Sequence, residues 1–170
     1  PNNIATKRSG LVKALGRIPD HVKLVPIDFD NESLNEVLKQ HGFGFDKKSL
    51  FVWEGVTQYL TEAGVRATFE VLTRSRVGSR LVFTYVPADF IAGNTLYGQE
   101  HLFRQMVQED KLWHFGFSPE SIEGFLDDYG FRGREHHGYG ELTERYVKPT
   151  GRDLGFMEIE RIVCAERTER

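Results

Sequence analysis

The sequence predicts an α/β fold built on a largely parallel sheet, and three observations carry that prediction. Short runs of near-continuous apolar residues, "VKLVPI", "LFVW" and "RLVFTYV", recur along the first half of the chain. Stretches with apolar residues at helical spacing separate them. Turn residues Pro19, Gly42, Gly78 and Pro87 punctuate the boundaries. Strands that are apolar along their whole length belong in parallel sheets covered by helices on both faces.

The elements follow in order. Residues 4–15 form a helix carrying Lys7, Arg8 and Lys13, stopped at Pro19. Residues 22–27 form a buried strand that ends in Asp28. A second helix places Leu34, Val37 and Leu38 on one face and closes on Gly42. The second strand, "SLFVWEG", leads to Thr61, which caps a helix with the stripe Val65, Phe69 and Leu72. The third strand, "SRLVFTYV", lies between Gly78 and Pro87. In the second half, residues 95–108 read as a helix running into an aromatic loop. Ser118, Pro119 and Glu120 mark another helix start, and Gly130 its end. "FRGREHHGYG" and "MEIERIVCAER" read as two late strands that form an antiparallel hairpin at the sheet edge.

Composition narrows the function classes. A chain of 170 residues, 39% hydrophobic and 12% aromatic, buries a core of its own and reads as a single domain over residues 1–170. Its 22 basic and 25 acidic residues sum to −3, so charge offers no reason to expect nucleic acid as partner. A small-molecule or protein partner fits better. One cysteine, Cys164, excludes an internal disulfide and a cysteine zinc site. No long apolar span argues for a membrane, and the default compartment is cytoplasmic.

Parallel sheets bind ligands just beyond the carboxyl ends of their strands. Asp28 and Glu54 both stand at such ends, so two carboxylates are expected to rim one crevice. Other roles remain open: Asp28 caps the next helix, a role Asp30 or Asn31 fills equally well, and Glu54 pairs with a lysine or arginine. Adjacent strand residues point to opposite faces, so "EHH" at 135–137 makes no chelate, and no metal is expected. The glycine spacings in "GFGF" and "GYG" do not follow a strand and open a helix, which excludes a nucleotide loop there. No serine-elbow motif is present.

"VKLVPIDF", "LFVWEGVTQYLTEAGV", "SRLVFTYV" and "ELTERYVKPTGR" together resemble the leucine carboxyl methyltransferase family, in its bacterial branch of S-adenosylmethionine-dependent methyltransferases. The resemblance covers essentially the whole chain, and "VWEGVTQYLT" is its most specific block. It implies the class I methyltransferase fold, a Rossmann-like α/β sheet of seven strands. Pro1 resembles the proline that follows the family's ribose-binding acid, and nothing here matches the family's glycine-rich loop. The chain is therefore expected to be the C-terminal part of such a domain, carrying strands three to seven.

The resemblance further implies S-adenosyl-L-methionine as cofactor. Asp28 and Phe29 would face its adenine, Glu54 its ammonium or sulfonium, and Gly55 would let the backbone approach it. Tyr59 would wall the transfer site, and Arg145 would clamp an acceptor carboxylate or else sit on a solvated helix end with Tyr146 and Lys148. The aromatic stretch 113–117 would help exclude water. A carboxylate acceptor needs no base, whereas a hydroxyl needs one, with His114 or His137 as candidates. Two other classes remain: a non-catalytic Rossmann-like interaction module and a nicotinamide-dependent oxidoreductase.

Overall fold

The structure, a computed structural model, describes residues 2–29, 31–155 and 157–169, with no side chain for Asn2. The expectations placed on Pro1 and Asp30 lie outside the described residues. The chain divides into two compact units, residues 1–44 and 45–170.

In the first unit, α1 (Asn2–Leu15) ends where Gly16 turns left-handed at φ 77°, its N–H bonded to Val12 O at 2.9 Å. Residues 22–27, expected as a strand, carry neither helix nor strand pairing. The apolar run is present, but a strand exists only through a hydrogen-bonded neighbour, and none pairs with it among the described residues. Helix α2 (Leu34–Gln40) is capped by Ser33, whose Oγ accepts the Glu36 N–H at 3.5 Å, so the cap is neither Asp28 nor Asn31. Gly42 follows it at φ 79°, as its position predicts.

The second unit holds a four-stranded sheet in the order β1-β2-β4-β3, where β1 is Leu50–Trp53, β2 Arg80–Tyr85, β3 Phe131–His137 and β4 Arg161–Arg167. β1 runs parallel to β2, and β4 runs antiparallel to both β2 and β3. The antiparallel edge expected from the two late strands is therefore present. One end of the sheet gathers the carboxyl ends of β1, β2 and β3 with the amino end of β4, since Arg161 pairs with Tyr85 and Ile162 with His137. Among the described residues β1 is the edge strand, and its alternation leaves Leu50 and Val52 exposed while Phe51 and Trp53 are partly buried.

Helix α3 (Glu62–Leu72) covers the Trp53 side. Thr61 caps it by accepting the Gly64 N–H at 3.2 Å, and Val65, Phe69 and Leu72 are buried as their spacing predicts. Phe69 is the centre of the core. Its ring meets Trp53, Phe83, Phe125, Tyr129 and Phe131, with centroids 4.9 to 6.2 Å apart and several edge-to-face pairs. Phe125 and Tyr129 come from α6 (Ile122–Asp128) and the residue that caps it, and Gly130 then reverses the chain at φ 67°. A single 3-10 turn, Pro119–Ser121, precedes α6, and the Ser118 hydroxyl bonds Glu120 instead of a helix N–H.

The excursion between β2 and α6 differs from the single helix expected over 95–108. It contains α4 (Ala88–Ile91), then α5 (Glu100–Phe103), which widens into a π-type turn over Arg104–Glu109. Left-handed backbone at Gly93, Tyr97 and Gly98 interrupts helical winding before Glu100. Val86, Phe90, Trp113 and Ile159 form the buried cluster beneath this excursion.

Because Phe69 has five aromatic neighbours, Phe69→Ala should lower unfolding free energy by about 3–5 kcal/mol in urea titration. A change under about 1 kcal/mol would show that this cluster is not the centre of the core.

Candidate functional site

The turn after β1 is built by hydrogen bonds to one residue of β2. Gly55 sits at φ 66°, a conformation that needs glycine, and its N–H donates to Thr84 Oγ1 at 2.8 Å. The Thr57 hydroxyl donates to Thr84 O at 2.9 Å. Both threonines are buried, so the turn is anchored inside the protein while Glu54 and Tyr59 reach solvent.

Residues 113–117 lie across this turn. The Gln58 carbonyl accepts the His114 N–H at 2.7 Å, and Trp113 meets the Tyr59 ring edge-to-face at 6.2 Å. At the far end of the segment, the Phe117 N–H donates to Val86 O at 3.1 Å and the Ala88 N–H to Phe117 O at 2.9 Å. The segment is thus pinned to the ends of both parallel strands. Gly116 is required for this close approach, because a Cβ there would lie 2.7 Å from Val86 O. Among the described residues, the buried Gln58 Oε1 and Trp113 Nε1 at this junction have no hydrogen-bond partner.

Further along the same end of the sheet, the Tyr85 hydroxyl and His136 Nε2 are 2.8 Å apart. Burial pushes the Tyr85 phenol above its ordinary range, so it remains a donor. Burial, reinforced by the Arg161 charge, pushes the His136 imidazole below its ordinary value and suits the neutral acceptor this bond requires. Tyr97, held left-handed at φ 50°, donates its hydroxyl to Asp89 Oδ2 at 2.7 Å. Beside Arg161, a cavity of about 370 Å³ opens between Tyr97, Tyr139, Glu141 and Glu158.

Of the residues singled out in the sequence, Glu54, Gly55 and Tyr59 share one turn, with Trp113 against it. Glu54 is exposed, and among the described residues no lysine or arginine forms an ion pair with it. Asp28 and Phe29 belong to the unit of residues 1–44. There Asp28 organises a turn: its N–H donates to Glu32 Oε2 at 2.8 Å and its Oδ2 accepts from Asn31 Nδ2 at 2.9 Å. Arg145 makes its contacts with residues other than Tyr59. It bonds Glu135 Oε2 at 2.8 Å and lies 3.0 Å from His137 Nε2. Those two neighbours, His137 first, hold the Glu135 carboxyl below its usual range. His114 is exposed and contributes its backbone to the turn.

Sequence reasoning missed Thr84, Tyr97 and Arg161. A signal for Arg161 was available, because the first residue of an antiparallel last strand must lie beside the carboxyl ends of its parallel neighbours. Tyr97 had none, since a left-handed tyrosine follows from the surrounding tertiary structure.

Comparisons with known proteins agree with this architecture. The family model described as Leucine carboxyl methyltransferase matches residues 1–73. A protein of Bacillus subtilis (strain 168) named "Putative S-adenosyl-L-methionine-dependent methyltransferase YktD" is 25% identical over 154 residues, covering 89% of this chain and 50% of its own length. The chain thus spans half the length of that curated relative. Among solved structures, magnesium protoporphyrin IX methyltransferase (ChlM) of Synechocystis PCC 6803, with bound SAH, superposes with a TM-score of 0.51 at 14% identity, over 96% of this chain and 57% of that one. The pyocyanin biosynthetic protein PhzM gives 0.53 at 15% identity, over 99% and 41%. A duf574 family protein of Streptomyces avermitilis gives 0.54 at 10% identity, over 81% and 53%. The fold is the Rossmann-like α/β fold of class I methyltransferases. No helix among the described residues is long and apolar enough to cross a membrane.

The neutral state of His136 predicts a pH dependence. Its proton is bound more readily in the unfolded chain, so stability should fall as pH drops through about 6.5 and level off below the depressed folded value. Urea titrations between about pH 8 and pH 5 should show this loss, and His136→Gln should remove part of it. An unchanged slope in the variant would mean that His136 does not titrate in this window.

Proposed function

We propose that the protein is an S-adenosylmethionine-dependent methyltransferase acting on an oxygen acceptor, a carboxylate or hydroxyl of a small molecule or protein, and that this chain forms the C-terminal part of its catalytic domain. The observation that carries the reading is the turn after β1, where an exposed Glu54 and a left-handed Gly55 stand at the carboxyl end of a parallel strand in a methyltransferase fold. The family match over residues 1–73 and the name of the B. subtilis relative point the same way.

The residues suit such a ligand. An exposed carboxylate with no ion pair among the described residues favours a positively charged group, and open space surrounds the position a Cβ would take at Gly55. Bound S-adenosylmethionine would supply a sulfonium methyl, with the acceptor oxygen forming the new O–CH3 bond while the S–CH3 bond breaks and its electron pair stays on sulfur. In this reading Asp28 and Phe29 hold the adenine, Glu54 and Gly55 the methionine end, and Tyr59 walls the site with Trp113. The pinned 113–117 segment limits water near the turn. Arg145 anchors an anionic acceptor, for which it must leave Glu135. His114 or His137 takes the proton of a hydroxyl acceptor.

In the full-length protein, Asp28→Ala and Glu54→Ala should each weaken S-adenosylmethionine binding by about 1–3 kcal/mol in titration calorimetry. Unchanged affinity in both would remove the assignment. Arg145→Ala should lower turnover of a carboxylate acceptor while cofactor affinity stays within about twofold. Parallel loss of affinity and turnover would argue against an acceptor role for Arg145.

A further inference from the structure

We infer that Gln58 and Trp113 are specificity-determining residues that receive a neutral hydroxyl group carried by the acceptor, with Gln58 Oε1 accepting its O–H and the Trp113 Nε1–H donating to its oxygen. The inference rests on the methyltransferase reading and adds a recognition element to the acceptor, whichever oxygen takes the methyl group. The pair belongs to the junction between the turn after β1 and the segment that crosses it. The Gln58 carbonyl accepts the His114 N–H at 2.7 Å and the Phe115 N–H at 3.4 Å, and the Trp113 N–H donates to Met106 O at 3.1 Å, so the backbone of both residues is held. The Trp113 ring meets Tyr59 and Phe90, each at 6.2 Å between centroids.

Both side chains are buried, Gln58 with 7% and Trp113 with 8% of its surface exposed. Among the described residues, Gln58 Oε1 and Trp113 Nε1 still have no hydrogen-bond partner. A buried polar atom left unmet is costly, and proteins meet nearly all of them. Two such atoms at one junction, one an acceptor and one a donor, therefore point to a group that arrives from outside. The residues that follow them in the chain, Tyr59 and His114, reach solvent, so the pair lies just beneath the surface, within reach of a ligand that displaces the Tyr59 ring.

The chemistry of the two atoms selects the group. A hydroxyl gives one proton and accepts another, so it meets both. A carboxylate would turn a lone pair toward Gln58 Oε1, and an ammonium has nothing to accept the indole N–H. Either charge would also have to leave water for a buried place between two neutral side chains. The rings of Tyr59, Phe90 and Trp113 make the surroundings apolar, which suits a hydroxyl on an aromatic skeleton. Because the pair is neutral, it leaves the anionic anchor assigned to Arg145 as it stands.

The test titrates the full-length protein with phenol, anisole and toluene, which share a ring and differ in what they donate and accept. The readout is the Trp113 indole N–H in 15N NMR, identified as the signal missing from Trp113→Phe. Phenol should move that signal and bind at least about tenfold more tightly than toluene, with anisole, which only accepts, in between. In Gln58→Met, which keeps the shape and removes the carbonyl, the phenol preference should fall to about twofold and the melting temperature should not drop. A lowered melting temperature with the phenol preference unchanged would mean that a trapped water meets the two atoms, and would overturn the inference. Toluene binding as tightly as phenol, or phenol binding that leaves the Trp113 indole signal unmoved, would overturn it as well. The comparison of probes in the unmutated protein stands whether or not the variants fold. Calorimetry with S-adenosylhomocysteine keeps the two readings apart, since absence of its binding would sink the methyltransferase reading while the phenol preference still reports on Gln58 and Trp113.

Discussion

The candidate site depends on Thr84. This buried β2 threonine accepts the Gly55 N–H on its hydroxyl and the Thr57 hydroxyl on its carbonyl, so one residue fixes two points of the turn that ends β1. A left-handed glycine alone would leave that turn free to move. Two bonds from a buried strand position give it one geometry, at the end of the sheet where ligands bind in such folds. Glu54 can then be exposed and still be well placed, because the backbone on either side of it is held from within.

Everything else at this end of the sheet is arranged around that fixed turn. The Gln58 carbonyl, positioned by it, receives the 113–117 segment, and Gly116 allows the segment to touch the backbone after β2. Trp113 links this segment to the buried cluster with Phe90 and Ile159, so the excursion from 88 to 113 is folded onto the same foundation. On the other side, reversal of β4 brings Arg161 to the level of Tyr85 and His136. A cation, a neutral histidine and an exposed carboxylate thereby share one end of a sheet whose hydrophobic support is the cluster around Phe69.

The readable parts of the sequence were those whose cause is local. Thr61 as a cap, Gly42 and Gly130 as helix ends, and the Val65, Phe69, Leu72 stripe all follow from the chemistry of a few neighbouring residues, and the structure has each of them. The parallel pair and the antiparallel edge were legible from apolar runs and their order. Features set by distant residues were not. The run at 22–27 has strand composition but no pairing neighbour among the described residues, and the helix expected over 95–108 is interrupted by left-handed positions, one of them the non-glycine Tyr97. At the candidate site, Glu54 and Gly55 stood out because a carboxylate and a glycine after an apolar run are unusual. Arg161 was easy to pass over because an arginine at a strand start is ordinary by itself, and only the antiparallel direction of β4 places it beside the carboxyl ends of its neighbours.

The central claim is that the turn after β1 receives the cofactor. Amide hydrogen exchange across the full-length protein, with and without S-adenosylmethionine, tests it without any substitution. The account predicts added protection at residues 54–59, with the middle of β3 and β4 unchanged, because only the strand ends would meet the ligand. Protection that leaves residues 54–59 unaffected, whatever its position elsewhere, would contradict it.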